Sequence, residues 1–488
     1  MSDVHRRAVL AGAAAATFVP WTRALAATGP VDLEPLSRGF DGILLAPSSP
    51  TYEPERKSFA FNPRSDRFPA VIAKCRTEGD IVRALAFAQH QGLDIAVRGG
   101  RHDVMGASNC DGGVVIDTRL MASCALQPDG KTVVVGAGAK AGEVMGLLQR
   151  TGLAVPFGDS GDVGVAGLTL GGGYGWLAGA HGATCDSLIQ ARLVLASGEV
   201  VTASARENPD LFWAIRGGGG NFGVVSQLSY RTCEVDQVTA GRIIFSADDI
   251  PGFFRFYREF MANCPDNLAI ELGVIHADRL LVSALACWSG EAEAGERALA
   301  PLLAHPSLLA SAVSRRPYSQ LAASAPAIDV LLRSHRSGPA GPQDAVGAFW
   351  RGGSLAELSD GAIAQIVSRL SEARDGFAFS LTHHLHGAVC RIPSAETALI
   401  RPLGSYCFHF DAWWGDPSEA ERQMQWVDTS LAALAPYRIP TYVNYLSSDD
   451  PKEIAKTYGR NFSRLRQIKR RYDPSNILHH NRNIPPAA

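Results

Sequence analysis

The stretch AVRGGRHDVMGAS, residues 96–108, sets one imidazole, His102, among glycines that leave the backbone open to close approach. Such a histidine is a piece of core, a proton acceptor or an anchor for something bound there, and residue types alone leave all three open. A second glycine-dense stretch covers 158–182. Glycine runs beside strands turn several N–H groups toward one anion, so RGG at 98–100 and GLTLGGGYG at 167–175 are candidate phosphate cradles. GGGNFG at 218–223 fits a bare GxGxxG at Gly218, Gly220 and Gly223, but strand-like VVSQLSY follows where a dinucleotide fingerprint needs a helix. The glycines therefore point to a phosphate-bearing ligand held outside a Rossmann unit.

Other chemistry-bearing residues read more plainly. HHLH at 383–386 has no carboxylate or cysteine spaced with it, and on a strand its histidines alternate faces, so no metal centre is expected. RLRQIKRR at 464–471 reads as a solvated helix face rather than a nucleic-acid contact. Trp413 and Trp414 either stack on a sugar or aromatic substrate or belong to the core.

The elements that must carry these residues follow from periodicity. FPAVIAKC (68–75), DIAVRGG (94–100), GGVVIDT (112–118) and KTVVVGAG (131–138) predict strands. TEGDIVRALAFAQHQGL (77–93) has helical spacing and opens close to a capping box. KAGEVMGLLQRTG (140–152) predicts a helix ending at Gly152, and IQARLVLASGEVVTAS (189–204) a hairpin about Ser197-Gly198. Residues 27–65 read as an irregular lead-in and 155–188 as almost all turn and loop. NPDLFWAIRGGGGNFGVVSQLSYRT (208–232) reads as a short helix, a glycine hinge and a strand. From about 240 to 430, strand-like runs such as LAIELGVIHA and SYCFHFDAWW alternate with polar helices, the pattern of an antiparallel sheet with helices on one face.

A chain of 488 residues exceeds one core, so two or three domains are expected. Charged residues make up 19% and the formal net charge is -2, which argues against a nucleic-acid partner. The nine cysteines are odd in number, scattered and without a CxxC pair, so neither a disulfide framework nor a zinc site is indicated; one or two disulfides stay open. At the N-terminus, Arg6 and Arg7 precede an alanine-rich run and ALA at 24–26. This reads as a twin-arginine export signal over 1–26, too short for a membrane span, and places the mature chain in the periplasm or outside the cell. That route carries folded proteins, which suits one that takes up a cofactor before export.

Three segments taken together are specific. Residues 69–106, DVGVAGLTLGGGYGWLAGAHGATCDSL (162–188) and the C-terminal run from YVNY (442–445) through YDPSNILHHNRNIP resemble the berberine-bridge-enzyme-like branch of the FAD-linked oxidases. The resemblance implies an α+β fold: a two-part PCMH-type FAD-binding domain over 64–236 and an antiparallel-sheet substrate domain with helices on one face over 237–435. A C-terminal segment, 436–488, returns to the flavin. It implies FAD bonded through His102, with Arg98, Gly99, Gly100, Arg101, Asp103, Gly106, Asp159, Ser160, Gly164, Gly167, Gly172, Gly173, Gly175, Asp186, Val224, Asn444 and Asn481 at the cofactor. The family pattern has glycine or serine, then two glycines, before the histidine and a polar Asn or Ser after it; here Arg101 and Asp103 flank it. Where many members carry a second, cysteinyl link, this chain has Ser160, so a single covalent bond is expected.

By the same resemblance Val163 takes the position that gates oxygen, and valine there resembles the oxidases. Tyr445 matches the tyrosine that acts as or assists the base. A phenol near pKa ~10 needs a cation or hydrogen bonds to lower it, and Arg401 and His409 are candidate helpers. Tyr406 is a candidate substrate contact, while Tyr442 is either that or packing beneath the flavin. The resemblance implies an exported FAD-dependent oxidase that takes hydride from a C–OH or C–N carbon of a sugar, aromatic alcohol or amine and passes electrons to O₂, giving H₂O₂. A dehydrogenase with another acceptor, a natural-product oxidative cyclase, and a non-catalytic flavin- or ligand-binding protein are the alternatives. No membrane partner is expected.

Overall fold

Val71–Lys74, Val114–Asp117 and Ile95–Arg98 lie side by side in parallel register. Their near-continuous apolar runs suit strands covered on both faces, and all four residues of Val114–Asp117 are buried. In this computed structural model, residues 31–276, 279–323, 345–373, 376–393 and 395–488 are described. The expected export signal lies outside them. Thr77 and Asp80 close a capping box on the helix Glu78–Gln91, and Gly92 ends it in the left-handed conformation.

The expected irregular lead-in is corrected. It holds the helix Glu34–Ser37, the strand Ile43–Leu45, which pairs antiparallel with Val71–Lys74, and the helix Tyr52–Arg56. Short elements with few periodic repeats give no clear sequence signal. The same holds for 155–188, where the helices Val165–Gly171, Ala178–His181 and Thr184–Ser187 interrupt the glycine-rich run. The helix Ala141–Leu148 stops short of Gly152.

A second sheet orders Cys124–Leu126, Thr132–Gly136, Val224–Arg231, Leu188–Val194 and Val200–Ser204, the last two as the expected hairpin. A third, antiparallel sheet starts at Gln237. It runs Leu308–Ser311, Gln237–Ser246, Leu280–Trp288, Leu268–His276, Phe377–His384, Tyr406–Trp414, Gly347–Leu355 and Arg438–Ile439, with Ser314–Pro317 also on Gln237–Ser246. Burial alternates along Leu268–His276. One face packs apolar residues against helices, with Phe254 and Tyr257 from Ile250–Ala262, Ile363 and Ile366 from Asp360–Ser371, and Met424 and Val427 from Ala420–Ala433. The other face is left for the first two sheets.

Trp413 and Trp414 sit in that helix-side core, 4% and 3% exposed, so they do not stack on a substrate. Nor is the basic helix Phe462–Tyr472 solvated throughout. Lys469 is fully buried, its Nζ donating to Asp473 Oδ2 at 2.7 Å and to the carbonyls of Asn221 and Leu478 at 2.7 and 2.8 Å. Asp473 in turn accepts from the N–H groups of Ile477 and Leu478 at 2.9 Å, which shapes the chain leading to His479 and Asn481. All nine cysteines are free. No helix among the described residues is long and apolar enough to cross a membrane.

Candidate active site

A cleft enclosing about 1750 Å³, its open mouth included, runs between the first two sheets, the large antiparallel sheet and the C-terminal segment. Two loops make its floor. At Gly100 an added Cβ would fall 2.3 Å from Gly164 N, and at Gly164 one would fall 2.4 Å from Gly100 N, so glycine at both positions lets the loops touch. Gly99, Gly167, Gly219, Gly220 and Gly223 also line the cleft, and nothing lies within 4 Å of a Cβ built on Gly167 or Gly220. The discarded GGGNFG motif thus contributes wall without a Rossmann helix. Arg101 occupies φ +64°, a conformation that glycine adopts without strain, and donates to the Pro54 carbonyl at 3.2 Å.

His102 lines this cleft with its ring stacked on Phe59, centroids 4.4 Å apart. Burial holds its pKa down at about 4 against the opposing carboxylate of Asp162, so the imidazole is neutral and carries a free lone pair. Asp103 beside it forms a buried ion pair with Arg482 and accepts from Ala107 N–H at 2.9 Å. Arg482 also donates to the Leu446 carbonyl at 2.6 and 2.8 Å. The histidine loop is thereby tied to the C-terminal segment, where Asn481 faces the cleft and accepts from Arg482 at 2.8 Å.

YVNY forms a turn over the opposite wall. Asn444 donates to the Leu168 carbonyl at 3.2 Å and to Tyr442 Oη at 2.8 Å, and Tyr442 Oη accepts from Gly173 N–H at 2.7 Å. A Cβ on Gly171 would overlap Asn444, so glycine is required there. Tyr445 faces the cleft with its hydroxyl 3.2 Å from His383 Nε2. Asp159 Oδ2 lies 3.7 Å from the same nitrogen. Burial lowers the His383 pKa below its ordinary value, so the ring beside the phenol is neutral. Burial and the Asp159 carboxylate drive Tyr445 well above its ordinary pKa.

The expected cationic helpers of Tyr445 are therefore corrected. Arg401 bonds Asp186 at 2.6 Å and Thr397 at 3.0 Å. His409 meets the Tyr445 ring edge-on at 5.8 Å but gives its Nδ1 to Asp411 at 2.7 Å. Burial opposes the charge on His409, and Asp411 outweighs it and raises the pKa. The partner that sequence reasoning passed over is His383. Across the strand pair His383 stands opposite Cys407 and His384 opposite Tyr406, so alternation sends only one of the two to the cleft.

Val163, Asp159, Gly164 and Gly167 line the cleft as expected positions, while several other residues do not. Arg98 is buried on the far side of its strand, donating to the carbonyls of Glu55 and Ser108 at 2.6 and 3.3 Å. Gly106 packs on Ser65. Ser160 lies outside the lining, its carbonyl accepting from Val163 N–H at 3.4 Å. Gly172 and Gly173 back against Leu399, Tyr442 and Thr184, and Gly175 against Phe157 and Gly158. Asp186 accepts from Ala183 N–H and pairs with Arg401. Val224 is wholly buried among core residues, and its neighbour Val225 faces the cleft. Tyr406 faces the helices, its ring 4.7 Å from His384 and 6.3 Å from Tyr257. Trp350 and Thr118 line the cleft unannounced by any motif, and so does His480, which lies in the C-terminal segment that carries the resemblance but is not among its expected site residues.

A glycine-walled cleft beside a neutral imidazole, roofed by an antiparallel sheet, has the room for a large nucleotide cofactor, and comparison with known proteins defines the class: an FAD-dependent oxidoreductase. The family described as FAD binding domain matches residues 69–204, and that described as Berberine and berberine like matches 441–485. The chain belongs to the berberine-bridge-enzyme-like FAD-linked oxidoreductases. It is 30% identical over 452 residues to the uncharacterized FAD-linked oxidoreductase YgaK of Bacillus subtilis (strain 168), covering 91% of this chain and 97% of that one. It is 28% identical over 437 residues to the (R)-6-hydroxynicotine oxidase of Paenarthrobacter nicotinovorans, covering 86% and 91%. The crystal structure of 6-hydroxy-D-nicotine oxidase from Arthrobacter nicotinovorans superposes with a TM-score of 0.82 at 25% identity over 94% of this chain and 100% of that one. The residues present fit the cofactor: the glycines leave room for a bulky nucleotide, and His102, Asn481 and the Asn444 turn face into the same space.

Proposed function

We propose that the protein is an oxidase that removes hydride from a C–OH or C–N carbon of a small molecule and returns the electrons to O₂, releasing H₂O₂. The observation that carries this reading is the Tyr445 hydroxyl at 3.2 Å from a neutral His383 in the cleft wall. Bound FAD supplies the hydride acceptor and the outlet to O₂. The chain supplies the proton path. As hydride leaves the substrate carbon, Tyr445 Oη accepts the proton from the substrate oxygen or nitrogen and gives its own to His383 Nε2. Asp159, 3.7 Å away, stabilises the imidazolium that results. Tyr445 never carries a full charge, which suits a phenol whose pKa the site raises.

Val163 in the cleft wall supports O₂ as acceptor, by resemblance to the oxidases. The linkage through His102 is supported by its neutral, cleft-facing ring. The Arg6-Arg7 leader supports export with the flavin in place. Trp413 and Trp414, in the core, offer no platform for a sugar or an aromatic substrate, and C–OH and C–N substrates stand level.

Anaerobic mixing of the yellow protein with sugars, aromatic alcohols and amines, followed by air, tests the reading. Bleaching by one class and rapid recolouring in air is expected. Bleaching without rapid recolouring would assign a different acceptor and a dehydrogenase.

His383→Gln tests the proton path. Flavin reduction in the native protein should slow on acidification through the His383 pKa, which lies below 6.5, because a protonated Nε2 cannot accept from Tyr445. The variant should reduce its flavin up to about 100-fold more slowly and lose that acidic limb. An unchanged pH profile would remove His383 from the path.

A further inference from the structure

Outside the Tyr445 site, one cluster of ligating side chains stands without a role. Asp94 lies in the turn between Glu78–Gln91 and Ile95–Arg98, and His479 and His480 lie in the chain that follows Phe462–Tyr472. Asp94 Oδ1 is 3.7 Å from His479 Nε2, and Asp94 Oδ2 is 3.6 Å from His480 Nε2. The ligand atoms of all three residues fall within 4.8 Å of one another, and the two imidazoles stack with centroids 5.0 Å apart.

The orientation of the His479 ring is set through its other nitrogen. Nδ1 donates to the Asn476 carbonyl at 3.0 Å, which turns Nε2 toward the carboxylate. Metal-bound histidines hold their rings in this way. His480 Nε2 is buried without a hydrogen-bond partner. The two ring nitrogens and the carboxylate oxygens thus converge on one gap of a size that takes a cation. The spacings are close to the roughly 3.4 Å edge of a tetrahedron built on metal bonds of ~2.1 Å.

We infer that Asp94, His479 and His480 form a binding site for one divalent transition-metal cation of the zinc type, with a fourth position open to water. This reverses the expectation of no metal centre, which weighed HHLH and the scattered cysteines. Imidazole and carboxylate donors suit zinc better than magnesium or calcium, which prefer all-oxygen shells. The ion would join the first parallel sheet to the C-terminal segment at one end of the cleft, because His480 is itself cleft wall and Asp94 leads into Ile95 and Val97. It would clip that segment closed over the cofactor without taking part in proton transfer.

The test uses the flavin-loaded protein stripped with a chelator and titrated calorimetrically with zinc chloride. One zinc per chain in the micromolar range is expected, with a rise in unfolding temperature. The Asp94→Asn/His479→Gln double variant should bind about 10-fold or more weakly. No heat up to millimolar zinc would overturn the inference, as would full affinity in the double variant. Should that variant misfold, zinc protection of His479 and His480 from imidazole acylation in the native chain, read by mass spectrometry, decides. Equal labelling with and without zinc would also overturn it.

Discussion

Replacing His102 by alanine should free the flavin. Acid precipitation of the native protein is expected to carry the yellow colour into the pellet, whereas the His102→Ala precipitate should be colourless and the supernatant yellow. The expectation rests on one ring. It faces the cleft, stacks on Phe59, and is kept neutral by burial, so its lone pair is available for a bond to carbon. No second bond is expected. By the family resemblance Ser160 takes the position of the cysteinyl link, and all nine cysteines are free, with Cys185 buried beside Asp186 and Arg401. Loss of covalent flavin should therefore be complete in the single variant. Colour retained in its pellet would place the linkage elsewhere.

The second large effect is kinetic. Tyr445→Phe keeps the ring that packs against Tyr442 at 5.4 Å and removes only the hydroxyl bonded to His383. Substrate hydride transfer then has no positioned proton acceptor, and flavin reduction should slow by about 100- to 10,000-fold. Reoxidation by O₂ does not draw on this hydroxyl and should keep its rate. The split between the two half-reactions, measured by stopped-flow absorbance, is what a merely structural tyrosine would not produce. Equal reduction rates in Tyr445→Phe and the native chain would take Tyr445 out of the proton path.

His383 shows why part of this site escaped the sequence. HHLH gives two adjacent histidines and then a third, and alternation states that adjacent ones diverge without saying which reaches the cleft. The phase is set by pairing with Tyr406–Trp414, where the register shifts between Leu381 and His383. A shift of one residue exchanges the two faces. The same uncertainty separates Val224 from Val225, and it turns Tyr406 toward the helices. Arg401 was a sound candidate by charge, but its partner Asp186 comes from a distant helix and is absent from any local window.

The roles of His102 and YVNY came from the family resemblance, while from residues alone came the glycine-dense stretches around His102, the strands and capped helix beside them, and an antiparallel sheet with helices on one face. These are local or periodic features: backbone that must approach closely, apolar runs covered on both sides, a cap within one turn. Only the tertiary structure decided that His383 partners Tyr445, that Asp103 ties to Arg482, and that Asp94 meets His479 and His480. Each is a meeting of side chains from distant segments. Strand register, loop closure and burial create such meetings, and a charge or ring nitrogen acquires its proton affinity only from neighbours the fold brings to it.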